Sequence, residues 1–351
     1  MIERPTLFIH RARAERNIAA MAGKAAASGV RFRPHFKTHQ SLEVGRWFRA
    51  AGVEAITVSS PDMALEFAAD GWEDILIAVP LNPGAEAVYR DLSERVTLGL
   101  LVDHPDHVAF LQSTGLRVNA WIKIDAGYGR VGVAWDDRDT LRALALGLTA
   151  LPHARFAGLL AHSGQTYQCR GRAEIETIWS QCADRMWAAN EAAGRLQTDI
   201  SVGDTPSCSV LDRFDGCTEV RPGNFVYYDL QQLRIGSCGL DQIAAAVACP
   251  IVSVQPRRNE VVVHGGAVHF SRDTAADPDL GMIFGRALSD AGDGWSAFED
   301  GVALARLSQE HGVLTGPPEW IASRRIGDVL RVVPAHSCLA ASALRPHFKV
   351  L

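Results

Sequence analysis

The sequence predicts an α/β fold, namely a TIM-type (β/α)8 barrel followed by a C-terminal, mostly β domain. First, eight apolar segments of β type alternate with Ala-rich segments whose apolar residues recur every three or four positions. Second, several of the eight are almost continuously hydrophobic, as strands are when both faces of a sheet are covered. Third, beyond about residue 240 the pattern changes to short strands separated by Gly, Pro and Asp turns, with few helical stretches.

The eight predicted barrel strands lie within the first 221 residues and define a predicted barrel domain over residues 1–240. A helix start is clear after the second strand, where Ser60 can cap the helix and Pro61 suits its first turn. The second predicted domain covers residues 241–351. The barrel strands are predicted at 30–37, 55–59, 75–79, 96–102, 119–125, 156–162, 199–203 and 218–221, and the later strands at 250–254, 260–264, 303–308 and 328–333.

Composition excludes several classes of protein. The chain has 351 residues, enough for roughly two domains. It is 47% hydrophobic, with a net charge of 35 − 40 = −5, which argues against a disordered chain and a basic nucleic-acid binder. No apolar run reaches the roughly 18 residues that span a bilayer, and the N-terminus lacks a signal-peptide core. The seven cysteines are scattered, without a CxxC pair, so we expect reduced thiols in a cytoplasmic protein.

One lysine stands out at the expected mouth of the barrel. Barrel enzymes carry their active residues at the carboxyl ends of the strands, and Lys37 ends the first predicted strand. A primary amine there can form a Schiff base if its pKa is lowered, and Arg33, His35 and His39 are the expected cationic neighbours. An ordinary surface lysine is the plain alternative. The chain has only four lysines among its 35 Lys and Arg residues, which favours a specific role.

Two Gly-containing turns follow the seventh and eighth strands. The first is Gly203-Asp204-Thr205, and the second contains Gly223 and Asn224. Loops at these positions of a barrel often bind phosphate through backbone N–H groups and hydroxyls. Ordinary βα turns are the alternative. A Schiff-base lysine on strand one with a phosphate site on strands seven and eight is what pyridoxal phosphate (PLP) requires.

The fifth strand carries a second lysine and a glycine motif. Lys123 alternates with Trp121 and Asp125, so we expect it to point into the barrel, where an ion pair with Asp125 is the plain interpretation. Residues 127–132 then match GxGxxG, the dinucleotide-binding pattern. This match occurs in the fifth unit rather than the first, and no acidic residue for a ribose ends the next strand. A Rossmann dehydrogenase is therefore disfavoured.

The second domain contains a candidate metal pair. His336 and Cys338 follow a predicted strand at a spacing of two, which places both side chains on one face of an extended chain. An imidazole and a thiolate suit Zn²⁺, and two protein ligands leave positions for water or substrate. A buried cysteine beside a structural histidine is the alternative. Glu310, next to His311, is a further candidate ligand or supporting group.

The chain resembles the D-serine dehydratase-like and D-threonine aldolase-like branch of the alanine racemase fold, the fold-type III PLP enzymes. Residues 33–39 look like its PLP-lysine motif and residues 123–130 its fifth-strand motif. Cys338 matches the dehydratases, because D-threonine aldolases usually have Asp there. The resemblance implies a homodimer that binds PLP and Zn²⁺ or another divalent cation. The site residues it implies are Lys37 for the covalent bond, Arg130, His162 and Tyr167 for catalysis, His336 and Cys338 for the metal, and Tyr167, Gly203, Asp204, Thr205, Arg221, Gly223, Asn224 and Tyr228 for PLP.

The expected reaction is β-elimination from a β-hydroxy D-amino acid such as D-serine, giving a keto acid and ammonia. Lys37 would take the α-proton, PLP would hold the electron pair and the metal would polarise the β-hydroxyl. Retro-aldol cleavage to glycine and an aldehyde is the alternative, and a PLP carrier without activity is a third. A two-base racemase is disfavoured because the chain has no Tyr beyond Tyr228. D-Serine, D-threonine and 3-hydroxy-D-aspartate all remain open as substrates, and neither nucleic acid nor membrane is an expected partner.

Overall fold

The computed structural model describes residues 2–194, 198–291 and 294–351. The chain forms two compact units that are not contiguous in sequence. The barrel unit comprises Ala19–Lys37 and Leu42–Gly223, and the β unit comprises Met1–Ile18, Thr38–Ser41 and Asn224–Leu351. The domain boundary at residue 240 stays a prediction.

The helices and strands are numbered in chain order. The described strands are β1 (Thr6–Ile9), β2 (Arg31–Phe32), β3 (Ala55–Val58), β4 (Asp74–Pro80), β5 (Thr97–Val102), β6 (Val118–Asp125), β7 (Val133–Ala134), β8 (Ala154–Leu160), β9 (Asp199–Val202), β10 (Glu219–Val220), β11 (Ala245–Gln255), β12 (Glu260–His264), β13 (Ala275–Asp277), β14 (Gly281–Ile283), β15 (Gly285–Ala291), β16 (Gly294–Leu307), β17 (His311–Thr315), β18 (Val329–Pro334) and β19 (Phe348–Val350). The described α-helices are α1 (Arg11–Ser28), α2 (Leu42–Ala50), α3 (Pro61–Ala69), α4 (Glu86–Arg95), α5 (Pro105–Thr114), α6 (Arg138–Thr149), α7 (Arg172–Ala192), α8 (Thr205–Val210), α9 (Leu230–Ile235), α10 (Ala267–Phe270), α11 (Pro318–Ala322) and α12 (Ser337–Ala343).

The barrel unit contains the predicted eight parallel strands. Their order in the sheet is β2-β10-β9-β8-β6-β5-β4-β3, and the short β7 pairs with β6. A parallel bridge between His35 and Thr57 joins the two ends of this order. The Phe36 N–H donates to the Thr57 carbonyl at 2.8 Å, and the Thr57 N–H donates to the Pro34 carbonyl at 2.9 Å. The predicted fold class is thereby confirmed for the barrel.

The barrel strands are apolar because both of their faces are covered. A cluster of buried side chains fills part of the barrel unit and comprises Leu76, Leu101, Trp121, Ala157 and Leu160. Helix α3 shows the predicted start, since the Ser60 hydroxyl accepts the Met63 N–H and Pro61 occupies its first turn. Burying one such large apolar side chain contributes about 1.5–3 kcal/mol to the free energy of unfolding.

A charged network lies among the first residues of the barrel strands. The fully buried Glu219 accepts from Arg33 Nε at 2.7 Å and from Arg31 Nε at 2.6 Å. Arg33 also makes a two-pronged ion pair with Asp74, at 2.6 and 3.0 Å. Burial alone would raise the pKa of Glu219, but the two guanidinium groups outweigh burial and hold it below its usual range. Glu219 is therefore charged near neutral pH and fully paired.

Glu219→Gln is expected to lower the free energy of unfolding by about 3 kcal/mol at pH 7, since it leaves Arg33 short of a buried partner. Because the folded pKa of Glu219 is lowered, its stabilisation is complete above the unfolded-chain pKa of about 4.3 and is lost as the pH falls through the folded pKa. Urea unfolding at several pH values measures both effects. Glu86→Gln, which removes an exposed ion pair with Arg90, is the control and should cost at most about 0.5 kcal/mol. Equal losses in the two variants would contradict the role given to Glu219.

The β unit is built on one mainly antiparallel sheet. Its strand order is β12-β17-β16-β15-β18-β11-β1-β19, and β11 also pairs with β12. The six strands from β12 to β11 therefore close into a ring, which leaves no free edge among them. Strand β1 pairs antiparallel with β11 and parallel with β19. The predicted mostly β C-terminal domain is confirmed as a fold class. Among the described residues, no helix is both long and apolar enough to cross a membrane.

Candidate active site

Lys37 lies just beyond the carboxyl end of β2, in the short segment that closes the barrel. Its own backbone N–H donates to Nδ1 of His35 at 3.3 Å, and its side chain is partly buried. This is the end of the barrel where the sequence analysis places the reactive amine. His162, Gly203 and Arg221 also follow carboxyl ends of barrel strands, after β8, β9 and β10.

Two imidazoles near Lys37 are held uncharged. Burial, followed by the positive charge of Lys37, lowers the pKa of His35 well below its ordinary value. Burial also lowers the pKa of His162 to about 3, with Lys37 and Arg130 adding to the effect of burial and the Gly203 hydrogen bond opposing it. Neither ring carries a proton charge at neutral pH.

The expected cationic neighbours of Lys37 need correction. Arg33 is bound to Glu219 and Asp74 in the interior network, and His35 is neutral. The cations that act on His35 and His162, besides Lys37, are Arg130 and Arg221. The sequence identified a positively charged barrel mouth but assigned the charge to the wrong residues, because it could not show which guanidinium groups already had carboxylate partners.

His162 is fixed in one orientation and one tautomer. Its Nδ1 lies 2.9 Å from the Gly203 carbonyl oxygen, which only accepts, so Nδ1 carries the hydrogen and Nε2 has a free electron pair. The Tyr128 ring lies edge-on to it at 5.6 Å, and the Tyr167 ring lies at 6.3 Å. Arg130 stacks on Tyr128, with 5.2 Å between its guanidinium carbon and the ring centre. The predicted residues Arg130, His162 and Tyr167 are thus brought into one cluster.

Lys123 and Asp125 have separate partners. The buried Lys123 Nζ donates to the Ile124 carbonyl at 2.7 Å, and burial is the main cause that lowers its pKa to about 8. Asp125 accepts the backbone N–H groups of residues 127–129 at 2.9–3.1 Å. Burial opposes its charge, yet these bonds hold the pKa of Asp125 below its usual range. The glycine motif is therefore a turn organised around a carboxylate, which is incompatible with a pyrophosphate at the same N–H groups.

The turn after β9 has the properties of an anion site. Asp204 caps α8, because its carboxylate accepts the Ser207 N–H at 2.7 Å and the Thr166 hydroxyl at 2.9 Å. Burial is the main cause that raises the pKa of Asp204 to about 6. The hydroxyl of the fully buried Thr205 has no hydrogen-bond partner among the residues that the structure describes. A Cβ on Gly203 would come within 2.5 Å of the backbone nitrogen of Arg221, so only glycine fits this turn. A phosphate would supply the partner that the Thr205 hydroxyl lacks.

Arg221 is buried beneath this turn. Its Nε donates to the Ser201 hydroxyl at 2.7 Å, and its Nη2 donates to the Ala161 carbonyl. Burial is the main cause that lowers the pKa of Arg221 to about 10, which leaves the side chain charged at neutral pH. Arg221 therefore lines the barrel interior as a fixed cation.

In the β unit, His336 has the second partner that metal-binding histidines use. Its Nδ1 lies 2.7 Å from an oxygen of Asp273, so Nδ1 donates and Nε2 remains available to a cation. Burial opposes a charge on His336, but Cys338 and Asp273 favour it and raise the pKa to about 11. Cys338 and Asp273, which favour a proton on His336, also favour a metal ion at this imidazole.

Cys338 lies two residues on, in the first turn of α12, and is held by polar contacts. The Thr38 hydroxyl is 3.2 Å and the Asn224 amide nitrogen 3.3 Å from its sulfur. The same amide nitrogen is within 2.7 Å of Asp229 and 3.0 Å of the Ser337 hydroxyl. The imidazole and the thiol thus have separate polar supports, as a metal pair requires.

Two predicted PLP ligands fall in the β unit. Asn224 directs its amide nitrogen to Asp229 and Cys338, while its buried side-chain oxygen has no hydrogen-bond partner in the described part of the chain. Tyr228 is buried and adopts a φ of +50°, a left-handed conformation that costs a non-glycine residue roughly 1–2 kcal/mol. Such strain persists where the surroundings fix a residue for function. Their roles stay predictions.

Sequence reasoning missed the supports of the metal pair. Asp273 is 63 residues from His336 in the chain, and Asp229 is over 100 residues from Ser337. No spacing rule links residues so far apart. The sequence offers one signal for Asp273, namely an acidic residue four positions after His269.

A large cavity lies at the other end of the barrel. It measures about 820 Å³ and is lined by residues at the starts of strands, including Phe32, Ala55, Asp74 and Thr97. In barrels of this type the amino-terminal face serves stability rather than catalysis. The cavity is therefore not the candidate active site.

Comparison with known families agrees with the geometry. Residues 9–231 match the model described as alanine racemase, N-terminal domain, and residues 244–349 match the putative serine dehydratase domain. The chain belongs to the D-serine dehydratase-like family of the alanine racemase fold. The predicted resemblance is confirmed.

Three relatives are similar to this chain over most of its length. D-threo-3-hydroxyaspartate dehydratase of Delftia sp. (strain HT23) is 33% identical, over 100% of this chain and 94% of its own. Its solved structure superposes with a TM-score of 0.91, covering 100% of this chain and 95% of that one at 32% identity. D-serine dehydratase of Dictyostelium discoideum is 27% identical, over 93% and 88% of the two chains. D-threonine aldolase of Arthrobacter sp. is also 27% identical, over 95% and 86%.

These relatives confirm the predicted class of enzyme, a PLP-dependent lyase acting on β-hydroxy D-amino acids. PLP is the cofactor that the family implies, and the Thr205 turn and Lys37 provide groups that suit it. A solved cysteine-to-alanine variant of the Delftia dehydratase is described as being in the metal-free form. In that relative, the replacement of a cysteine and the absence of a metal occur in the same structure.

Proposed function

We propose that this chain eliminates water from a β-hydroxy D-amino acid, giving a keto acid and ammonia. The observation that carries the proposal is the imidazole and thiol pair of His336 and Cys338, each held by its own polar support. The 33% identity to a dehydratase over the whole chain supports elimination over retro-aldol cleavage, since the aldolase relative is 27% identical.

In this reaction Lys37 would hold PLP through its side-chain amine, and the substrate amine would displace it, so that the freed Lys37 can act as the base. Its free amine takes the proton from the α-carbon of the substrate. PLP, when bound, supplies an electron sink for the α-carbon. The neutral His162 keeps a free electron pair on Nε2, and its ring packs edge-on against Tyr128. His162 therefore contributes an uncharged surface to the site. Arg130 and Arg221 are the permanent cations that suit the carboxylate and the cofactor.

The remaining difficulty of the reaction is the β-hydroxyl, a poor leaving group. We propose that His336 through Nε2 and Cys338 through its sulfur hold Zn²⁺, since a nitrogen and a sulfur ligand suit this ion. Zn²⁺ held there would supply Lewis-acid polarisation of the hydroxyl. Thr38 and Asn224 keep the thiol in place, and Asp273 keeps His336 in the correct tautomer.

Asp273→Asn is expected to weaken zinc binding by roughly 10–100-fold, because the amide does not polarise the imidazole as a carboxylate does. Competition with a chromogenic chelator measures the affinity directly. Asp279→Asn serves as the control, since Asp279 is an exposed carboxylate nearby in the sequence, in the turn between β13 and β14. If both variants bound zinc as the unmodified enzyme does, Asp273 would not be a support of the metal.

Product analysis tests the proposed reaction. The PLP-loaded enzyme is given D- and L-serine, D- and L-threonine and the isomers of 3-hydroxyaspartate, with and without EDTA. We expect equal amounts of ammonia and keto acid from a D-substrate, and loss of both on chelation. Glycine and an aldehyde would instead establish the aldolase alternative, and no turnover of any substrate would favour a PLP carrier.

We also propose a cytoplasmic homodimer. None of the seven cysteines, all of which are among the described residues, forms a disulfide, which suits a reducing compartment. The homodimer is taken from the resemblance to the family. Sedimentation velocity of the PLP-loaded enzyme would give twice the 38.0 kDa chain mass for a dimer.

A further inference from the structure

We propose that His264, His269 and Glu310 of the β unit form a second cation site, suited to Zn²⁺ or a similar transition-metal ion. One ligand atom of each residue lies within 4.8 Å of those of the other two. The proposed reaction does not use these residues. From the sequence, Glu310 is a candidate ligand or supporting group of the His336–Cys338 pair, whereas the structure groups it with His264 and His269.

The three side chains belong to three adjoining segments. His264 ends β12, His269 lies in α10, and Glu310 lies in the turn between β16 and β17. The Nε2 atom of His264 is 3.9 Å from a carboxylate oxygen of Glu310. The two imidazole rings lie 5.6 Å apart and nearly perpendicular, at 86°. Their nitrogen and oxygen atoms therefore already face a common space.

The backbone holds these segments together without the side chains. The Gly265 N–H donates to the Glu310 carbonyl at 2.9 Å, and the Ala267 N–H donates to the Ser308 carbonyl at 2.8 Å. A Cβ on Gly266 would lie 2.3 Å from the Gln309 carbonyl oxygen, so only glycine permits this approach. The site is thus organised before any cation binds, which lowers the cost of ordering its ligands.

The donor set indicates the class of cation. Two imidazoles and one carboxylate suit zinc, whereas calcium and magnesium prefer oxygen ligands alone. Ligands of a tetrahedral zinc ion lie roughly 3.3 Å apart, so small side-chain rotations close the present spacing. Nδ1 of His269 now accepts the Gly266 N–H at 3.1 Å, which places the ring proton on Nε2. When a cation binds Nε2, the ring proton moves to Nδ1 and the hydrogen bond from the Gly266 N–H is lost. A cation with high affinity for imidazole outweighs the loss of this hydrogen bond.

The plain alternative is a surface ion pair between His264 and Glu310, since their side chains are 38% and 48% exposed. An ion pair of this kind needs no metal and no contribution from His269. Zinc stoichiometry separates the two interpretations.

The experiment counts zinc on the PLP-loaded enzyme after dialysis against a low free Zn²⁺ concentration. The variants are His264→Gln, His269→Gln and Glu310→Gln, and His311→Gln is the control because His311 is an exposed neighbour outside the group. Each of the first three is expected to bind one zinc ion per chain fewer than the unmodified enzyme, whereas His311→Gln binds the same number. Circular dichroism checks that each variant folds.

Cobalt substitution keeps this test separate from the His336–Cys338 proposal. Only a thiolate ligand gives an intense near-ultraviolet charge-transfer band with Co²⁺, so that band reports Cys338. We expect the band to be unchanged in His264→Gln, His269→Gln and Glu310→Gln, and to disappear in Cys338→Ala while one equivalent of metal remains bound. If the three variants bind as much zinc as His311→Gln, the second site does not exist, whatever the state of Cys338.

Discussion

Lys37→Ala is expected to abolish turnover and the visible absorption band of the protein–PLP adduct. The substitution removes both the amine that binds PLP covalently and the base that takes the α-proton. Loss of the proton-transfer role alone lowers rates by roughly 10²–10⁴-fold. Activity is followed as ammonia release from the best D-substrate, and the band is followed by titration with PLP.

The control for this prediction is Lys349→Ala. Lys349 is an exposed lysine in β19, one of only four in the chain, so its removal leaves the barrel intact. It should keep both the band and the activity. Because PLP still has the Thr205 turn, Lys37→Ala should retain weak, non-covalent PLP binding. A Lys37→Ala enzyme with normal colour and turnover would mean that another amine carries the cofactor.

Cys338→Ala is expected to lower the rate of elimination by roughly 10³-fold while leaving the PLP band in place. Lewis-acid polarisation of a leaving oxygen is worth several kcal/mol, and each 1.36 kcal/mol is a factor of ten in rate. Removing the sulfur also leaves Thr38 and Asn224 without their contact. Zinc content and ammonia release are measured on the same sample.

The matched control is Cys217→Ala, which removes a partly buried thiol in the barrel unit. It should keep both the zinc bound at the His336–Cys338 pair and the activity. The proposed metal role would be wrong if Cys338→Ala retained full activity in the presence of EDTA. Loss of colour in Cys338→Ala would instead indicate a folding defect, which circular dichroism and an unfolding midpoint would reveal.

The barrel could be predicted from the sequence because its strands are buried on both faces and therefore read as apolar runs. All eight predicted positions contain a strand, but β2 is shorter than predicted, covering only Arg31–Phe32. From Arg33 onwards the segment that carries Lys37 is no longer a regular strand. Pro34 has no backbone N–H to donate to a neighbouring strand. Seven described strands were not predicted, because short strands with mixed patterns resemble loops until their partners are known; they are β1, β7, β13, β14, β15, β17 and β19.

The individual residues of the candidate site could be predicted from the sequence, but their ion-pair and hydrogen-bond partners could not. The chemistry of Lys37, His336 and Cys338 can be read from residue type and position. The pairings of Arg33 with Glu219 and of His336 with Asp273 depend on long-range packing, which spacing along the chain does not encode. The neutral state of His162 follows from its burial beside cations, which also appears only in three dimensions.

The central claim is that Lys37 is the residue joined to PLP. Reduction of the loaded enzyme with borohydride makes the Schiff base permanent, and peptide mass spectrometry then locates the pyridoxyl group. The account predicts the label on Lys37 alone. A label on another lysine, such as the buried Lys123, whose pKa is lowered to about 8, would contradict it.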